Sequence, residues 1–208
     1  MLLGKISKIK SEIKPPSIPL LPESEWIAKT RSPNRDGELE REKGCSLYTH
    51  LWTTCMMLRI LKGIWREFPR GELISPEAER LAADHDIGKA TPFFLSKIYS
   101  GINRLFSWNG IVKNISGGHA ECSQRILIKT GATFAKLAGA HHGTTPQDLR
   151  LQSGSMESVL GNSEWENARC NFLKKLHEDL NLGAMGNIPA TSTIFYPLFE
   201  SDILQNPF

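Results

Sequence analysis

From Ser46 onward the apolar residues recur at helical spacing. Leu47, Leu51, Thr54, Leu58, Leu61 and Trp65 are separated by four, three, four, three and four positions, which marks one face of a helix. His50 lies at the edge of that face, where a lone histidine reads first as a core residue bonded to a carbonyl. Ser75-Pro76-Glu77 opens the next helix with a capping Ser, Pro at the first helical position and an acid in the first turn. That Ala-rich helix runs to His85-Asp86 and stops at Gly88, and Thr91-Pro92 starts another carrying Phe93, Phe94, Leu95, Ile98 and Tyr99. Residues 100–117 read as an exposed loop. A helix with Ile126, Leu127 and Ile128 follows, with His119 near its first turn, and residues 132–143 form a small-residue helix ending in His141-His142-Gly143.

Thr144-Thr145-Pro146 marks a turn and residues 152–161 read as loop. Ser163 with Glu166 fits a capping box for a helix that buries Trp165, Ala168, Phe172, Leu173, Leu176 and Leu180 and ends at Gly183. His177, beside Glu178-Asp179, reads as solvated and not as a ligand. A last short helix spans 194–204, with Asp202 four residues after Leu198 and three after Phe199; a carboxylate among inward apolar residues is costly unless paired. Before Ser46, residues 1–24 read as an extended arm, because Pro15, Pro16, Pro19 and Pro22 exclude a helix. Trp26 looks like an anchor, and residues 31–44 like a surface loop. No run alternates apolar and polar positions, so the chain is predicted to be all-α, without repeats.

Composition narrows the class only a little. With 208 residues, 40% hydrophobic and 23% charged, the chain predicts one soluble domain over 1–208. A net charge of +3 permits a nucleic-acid partner without requiring one. Cys45, Cys55, Cys122 and Cys170 stand far apart with no CxxC pair, which fits reduced thiols, Cys55 and Cys170 filling core space. No signal-peptide core or stretch of roughly 20 apolar residues is present, so a cytoplasmic location, with no membrane partner, is expected.

The chemistry lies in the histidines. Neighbouring side chains on a helix diverge by roughly 100°, so His85 and Asp86 cannot both point into the core, but they can flank one metal ion. His50, His85, His119, His141 and His142, with Asp86 and Asp202, make seven ligand-type residues on separate helices that a bundle brings together. Imidazole and carboxylate without thiolate suit Mn, Fe, Co or Ni, with Zn also compatible. Seven exceed one tetrahedral ion; two ions about 3.5–4 Å apart, with Asp86 bridging, would use them all and suit phosphoester hydrolysis. A phosphate-binding loop is excluded at Gly88-Lys89, since Ala83 stands where the earlier glycine belongs and no Ser or Thr follows Lys89. Neither a GxSxG elbow nor an HExxH zinc motif occurs.

Ala83-Asp84-His85-Asp86-Ile87-Gly88-Lys89-Ala90-Thr91-Pro92 and Ala138-Gly139-Ala140-His141-His142-Gly143 are the most specific segments. With Trp26-Ile27-Ala28-Lys29, His50, Gly118-His119-Ala120-Glu121-Cys122-Ser123 and Ser201-Asp202-Ile203, the chain resembles the HD nuclease domain of type I CRISPR-associated helicase-nucleases, within the HD phosphohydrolases. The resemblance implies an HD-domain helical bundle with an extended arm and long surface loops. It implies that His50, His85, Asp86 and Asp202 hold one divalent transition metal, and that Asp86 is shared with a second held by His119, His141 and His142. Lys89 would lie near the scissile phosphate, and Asp86 and Lys89 would be catalytic. The implied activity is metal-dependent cleavage of single-stranded DNA, with a superfamily 2 helicase and an RNA-guided surveillance complex as partners.

The chain departs from the family at Gly118 and Ala120, which replace the usual Arg and Glu around His119, and at Ile203, where Trp is common. With no helicase here, the chain reads as a stand-alone subunit or, since it stops six residues after Asp202, as a fragment of a fused chain. Two rival readings stand beside the nuclease. One is an HD phosphohydrolase of nucleotides or cyclic dinucleotides; a polymer substrate would instead need a basic groove, for which Lys89, Lys97, Arg104 and Lys113 are candidates. The other is a metal-stabilised docking domain without catalysis.

Overall fold

The structure, a computed structural model, describes residues 18–30, 43–65, 77–99, 102, 118–143 and 153–182. Among the described residues the chain is all-α, as predicted, and β-pairing is limited to isolated bridges of Ile27 with Ser46 and Thr30 with Lys43. Outside them lie the arm over 1–17, Ser75-Pro76, most of the 31–44 and 100–117 loops, the 144–146 turn, Gly183 and the 194–204 helix. Arg104, Lys113 and Asp202 lie outside them too.

Helix α1 (Leu47–Trp65) starts where the Ser46 hydroxyl accepts a hydrogen bond from the Thr49 amide at 3.1 Å, an N-cap bond. It buries Leu47, Leu51 and Cys55, so the expected inward stripe holds for its first half only. Leu61 and Trp65 are exposed, as are Trp52, Met57, Ile60 and Ile64. The reason is a mismatch in length: α2 (Glu77–Asp84) has 8 residues against 19 in α1. Its first turn already meets Arg59 and Lys62, whose side chains reach Glu79 at 2.7 and 3.1 Å, so the last turns of α1 extend past it.

Burial raises the Glu79 carboxyl, but its bonds to Arg59 and Lys62 outweigh that and hold it below its usual value. A depressed carboxyl stabilises the fold above its unfolded value, and the contribution disappears as pH falls through the folded one. The gap in thermal midpoint between wild type and Glu79→Gln should therefore be full above about pH 4.3 and shrink on further acidification. A gap independent of pH would contradict this.

After α2 the chain makes a 3-10 turn at Ile87–Lys89 and enters the four-residue α3 (Pro92–Leu95). Thr91 begins α3 as expected, accepting from the Phe94 amide at 3.3 Å while its hydroxyl donates to the Gly88 carbonyl at 2.7 Å. Ile98 follows in a turn and Tyr99 just after it, beyond the end of the helix expected to carry both. Ile102 is buried, unlike the exposed loop expected around it. Helix α4 (Gly118–Lys129) buries Ala120, Cys122, Ile126 and Leu127 but leaves Ile128 exposed. Helix α5 (Ala135–Gly139) is shorter than the 132–143 expected. Its end tightens where the Ala140 amide is shared by the Lys136 and Leu137 carbonyls, both at 3.0 Å, and this releases His141 and His142 from the helix.

Helix α6 (Ser153–Leu160) corrects the loop expected at 152–161. Its sequence favours helix weakly, and tertiary contact decides. Val159 and Leu160 are buried, and Arg169 donates to the Leu160 carbonyl at 2.6 Å. Helix α7 (Ser163–Asp179) is capped by Asn162, whose side chain accepts from the Glu164 and Trp165 amides at 3.1 and 3.4 Å. The cap is thus one residue earlier than the Ser163 box predicted, and Asn serves equally well. The helix closes without reaching Gly183. Asn181 turns left-handed (φ 53°), and the Leu182 amide returns to the His177 carbonyl at 2.9 Å, the bond pattern that commonly terminates helices.

Trp26 is indeed an anchor. It is fully buried, stacks on Trp165 (centroids 6.4 Å, planes 11° apart) and tilts against Phe172 at 5.2 Å. The part of the arm described is not wholly extended, since Glu23–Glu25 forms a 3-10 turn. Ile18 is buried, and its carbonyl accepts from the Trp165 indole at 3.3 Å. Among the cysteines, Cys55 and Cys122 are buried and all four are free thiols. Cys170 is exposed, against expectation, because Arg169 takes the inward position on α7.

Candidate metal centre

Four parts of the fold deliver imidazoles to one carboxylate. His50 comes from the first turn of α1, His85 and Asp86 from the turn after α2, His119 from the start of α4, and His141 and His142 from the turn after α5. Asp86, 3% exposed, stands at the middle. Its Oδ2 faces His50 Nε2 at 2.8 Å and His85 Nε2 at 3.3 Å. Its Oδ1 faces His119 Nε2 at 3.0 Å and His141 Nε2 at 3.1 Å, and His142 Nε2 lies 3.0 Å from His119 Nε2. Two groups result, His50–His85–Asp86 and His119–His141–His142, each with its ligand-type atoms within 4.8 Å of one another.

Gly88 allows this convergence. A Cβ there would lie 2.0 Å from the His119 carbonyl oxygen and 2.5 Å from the Ser123 nitrogen. The Gly88 amide donates to Ser123 Oγ at 2.8 Å, so the turn after α2 presses directly on α4 and brings His119 to Asp86. Gly118, one of the departures from the family pattern, has φ 62°, a conformation glycine adopts freely. Lys89 is buried and its ammonium meets Asp86 Oδ2 at 2.7 Å. Phe94 sets its ring edge-on to His119 at 5.4 Å, with the Lys89 ammonium 5.8 Å from its centroid.

Two of the histidines are held by the same device. His85 Nδ1 is 2.9 Å from the Ala82 carbonyl, and His141 Nδ1 bonds to the Ala138 carbonyl, each three residues back. A carbonyl only accepts, so Nδ1 carries a proton, and the ring in its neutral form turns an Nε2 lone pair toward Asp86. Asp86 Oδ1 and His141 Nε2 are both buried and have no hydrogen-bond partner among the described residues, though they stand 3.1 Å apart. Two lone pairs facing each other repel, and a shared cation or a proton removes the repulsion. An orphaned pair of this kind, fixed by backbone carbonyls behind, fits a metal ion.

The electrostatics of the group follow from these contacts. Burial would raise the Asp86 carboxyl, yet the imidazoles of His119, His141, His50 and His85 overcome it and hold the group far below the usual carboxylate range. Burial would lower His141, but the Asp86 carboxylate and the Ala138 carbonyl raise it. Burial, then repulsion from His141 and His119, lowers His142 and keeps it in the neutral form that ligates metals.

Six of the seven expected ligands therefore meet, while Asp202 lies outside the described residues. His177 needs correction. It is 3% exposed, and its Nε2 meets Asp84 Oδ1 at 2.7 Å. The signal was present: His177 lies four residues after Leu173 and three before Leu180, on the buried face, whereas Glu178 and Asp179 point elsewhere. Arg169 was missed too. It lies four after Trp165 and three before Phe172, and it donates to the Ala90 carbonyl at 3.1 Å, behind the turn that holds Lys89. Burial lowers its guanidinium to about 10.

The family model described as Cas3, HD domain matches residues 42–190, a span that takes in the six converging ligand-type residues. No curated protein and no solved structure matches the chain.

Proposed function

Because the chain belongs to the Cas3 HD-domain family of CRISPR-associated nucleases, we propose that it is a divalent-metal-dependent nuclease cleaving single-stranded DNA. It would act as one domain over 1–208, beside a superfamily 2 helicase and an RNA-guided surveillance complex. The observation that carries the reading is the division of Asp86: Oδ2 belongs to the His50–His85 side and Oδ1 to the His119–His141 side. A carboxylate addressed on both oxygens by separate sets of imidazoles suits two ions, held by His50, His85, Asp86 and Asp202 and by His119, His141, His142 and Asp86.

Such a pair, when bound, supplies Lewis acidity toward phosphoryl oxygen and acidifies water. The protein's part is to hold the cations at fixed spacing, with His85 and His141 locked by their carbonyl bonds. Lys89 places a buried positive charge beside the site, where it stabilises the charge that builds on the phosphate in the transition state. Mn, Fe, Co and Ni are the ions of choice for this donor set.

Purified protein should degrade single-stranded oligonucleotides on addition of Mn, Fe, Co or Ni salts and stop on chelation. DNA left intact by folded protein across all four metals would overturn the reading. Faster hydrolysis of free deoxynucleotides than of oligonucleotides would replace it with a nucleotide phosphohydrolase.

A further inference from the structure

Behind the site lies a second His–carboxylate pair that the proposed chemistry does not use. Asp84, the last residue of α2, is 1% exposed and meets His177 of α7 at 2.7 Å. Its backbone leads directly into His85 and Asp86. A buried polar pair is weak evidence for stability, since apolar residues of similar volume often serve as well. Its position supplies a better reason for it.

The last turn of α7 and the residues just after it are the common tie of both helices that build the His50–His85–Asp86 group. On α1, Tyr48 bonds to Asp179 and Arg59 to the Leu180 carbonyl. On α2, Asp84 bonds to His177, and Arg80 donates to the Leu182 carbonyl at 2.7 Å. Tyr48 lies two residues before His50, and Asp84 one before His85. Of these ties only Asp84–His177 is buried on both sides and adjacent to candidate ligands.

We infer that Asp84 and His177 are positioning residues, which fix the end of α2 against α7 and so set His85 and Asp86 at their distance from His50. The inference rests on the proposed metal centre but not on DNA cleavage. The pair acts through direction: a hydrogen bond at the helix's final residue determines where the next two side chains point. Groups hydrogen-bonded directly to metal ligands change metal affinity by about 10–100-fold when removed, and a tie one residue from His85 acts on the same geometry through the backbone.

Three variants test it. His177→Gln puts an amide nitrogen where Nε2 stood and keeps the bond to Asp84. His177→Asn puts it where Nδ1 stood and breaks that bond. Asp84→Leu with His177→Leu replaces the pair by apolar volume. Cobalt titrations followed by visible absorption read affinity and ligand geometry, and a His142→Ala background isolates the His50–His85–Asp86 group. His177→Gln should match the parent. His177→Asn and the double variant should bind cobalt at that group about tenfold or more weakly, with an altered spectrum, while circular dichroism shows them folded. If the double variant does not fold, the Asn and Gln variants decide between them. Parental affinity and spectrum in His177→Asn, or equal weakening in His177→Gln, would overturn the inference. A parent that binds cobalt but leaves DNA intact would count against the nuclease reading alone.

Discussion

Asp86→Ala should strip both ions and reduce cleavage to the level of the metal-free protein. Among the described residues no other faces both groups: Oδ2 stands 2.8 Å from His50 and Oδ1 3.0 Å from His119. Loss of the carboxylate also leaves Lys89, 2.7 Å away and buried, as an uncompensated cation facing the imidazoles, which repels metal further. Asp86→Asn keeps the shape and removes the charge, so it separates metal loss from misfolding, and it should fail in the same way. Elemental analysis reads the result directly, as two ions per chain in the parent and none in either variant. His85→Ala should differ, giving up the ion at His50–His85–Asp86 and keeping the one at His119–His141–His142. Two ions retained by Asp86→Asn would sink the bridging role.

Gly88→Ala is the second large effect, and it strikes fold and site together. The added Cβ would lie 2.0 Å from the His119 carbonyl oxygen and 2.5 Å from the Ser123 nitrogen. Both are backbone atoms of α4, and neither can rotate away. The turn after α2 must therefore move off α4, which breaks the 2.8 Å bond from the Gly88 amide to Ser123 and separates His119 from Asp86. Overpacking of this kind costs about 1–3 kcal/mol, and each kcal/mol lowers the thermal midpoint of a chain this size by about 2–4 °C. A fall of several degrees, with weakened metal binding at the His119–His141–His142 group, is the expected result. Ser123→Ala, which removes the hydroxyl but adds no bulk, should cost less. A parental midpoint and metal content in Gly88→Ala would show that the contact is not tight.

The sequence carried most of the site because its motifs are local. The stretch from Asp84 to Pro92 holds its candidate ligands, its glycine at the close approach, its Thr cap and its helix-starting Pro within nine residues; Gly88 packs on α4, Thr91 caps α3, and His85 and Asp86 meet the other imidazoles. The double histidine was equally legible, although α5 ends before it and a shared amide at Ala140 releases it. What escaped was set by partners distant in the chain. Helix α6 depends on the Arg169 guanidinium bonded to its terminal carbonyl, and nothing in residues 153–160 announces that. Leu61 and Trp65 sit on a sound helical stripe but reach past a partner helix of 8 residues. His177 was misjudged by its sequence neighbours, when its place four residues after Leu173 was the better guide.

The stacked indoles of Trp26 and Trp165 have an optical consequence. Two like chromophores 6.4 Å apart and nearly parallel couple electronically, and near-ultraviolet circular dichroism reports their mutual orientation. Both rings are fully buried, whereas Trp52 and Trp65 are exposed to water, so the two kinds emit at different wavelengths. The pair joins residues 18–30 to α7, the helix whose last turn ties α1 and α2. The protein thus contains its own spectroscopic gauge of whether that N-terminal segment stays seated, readable without any added label.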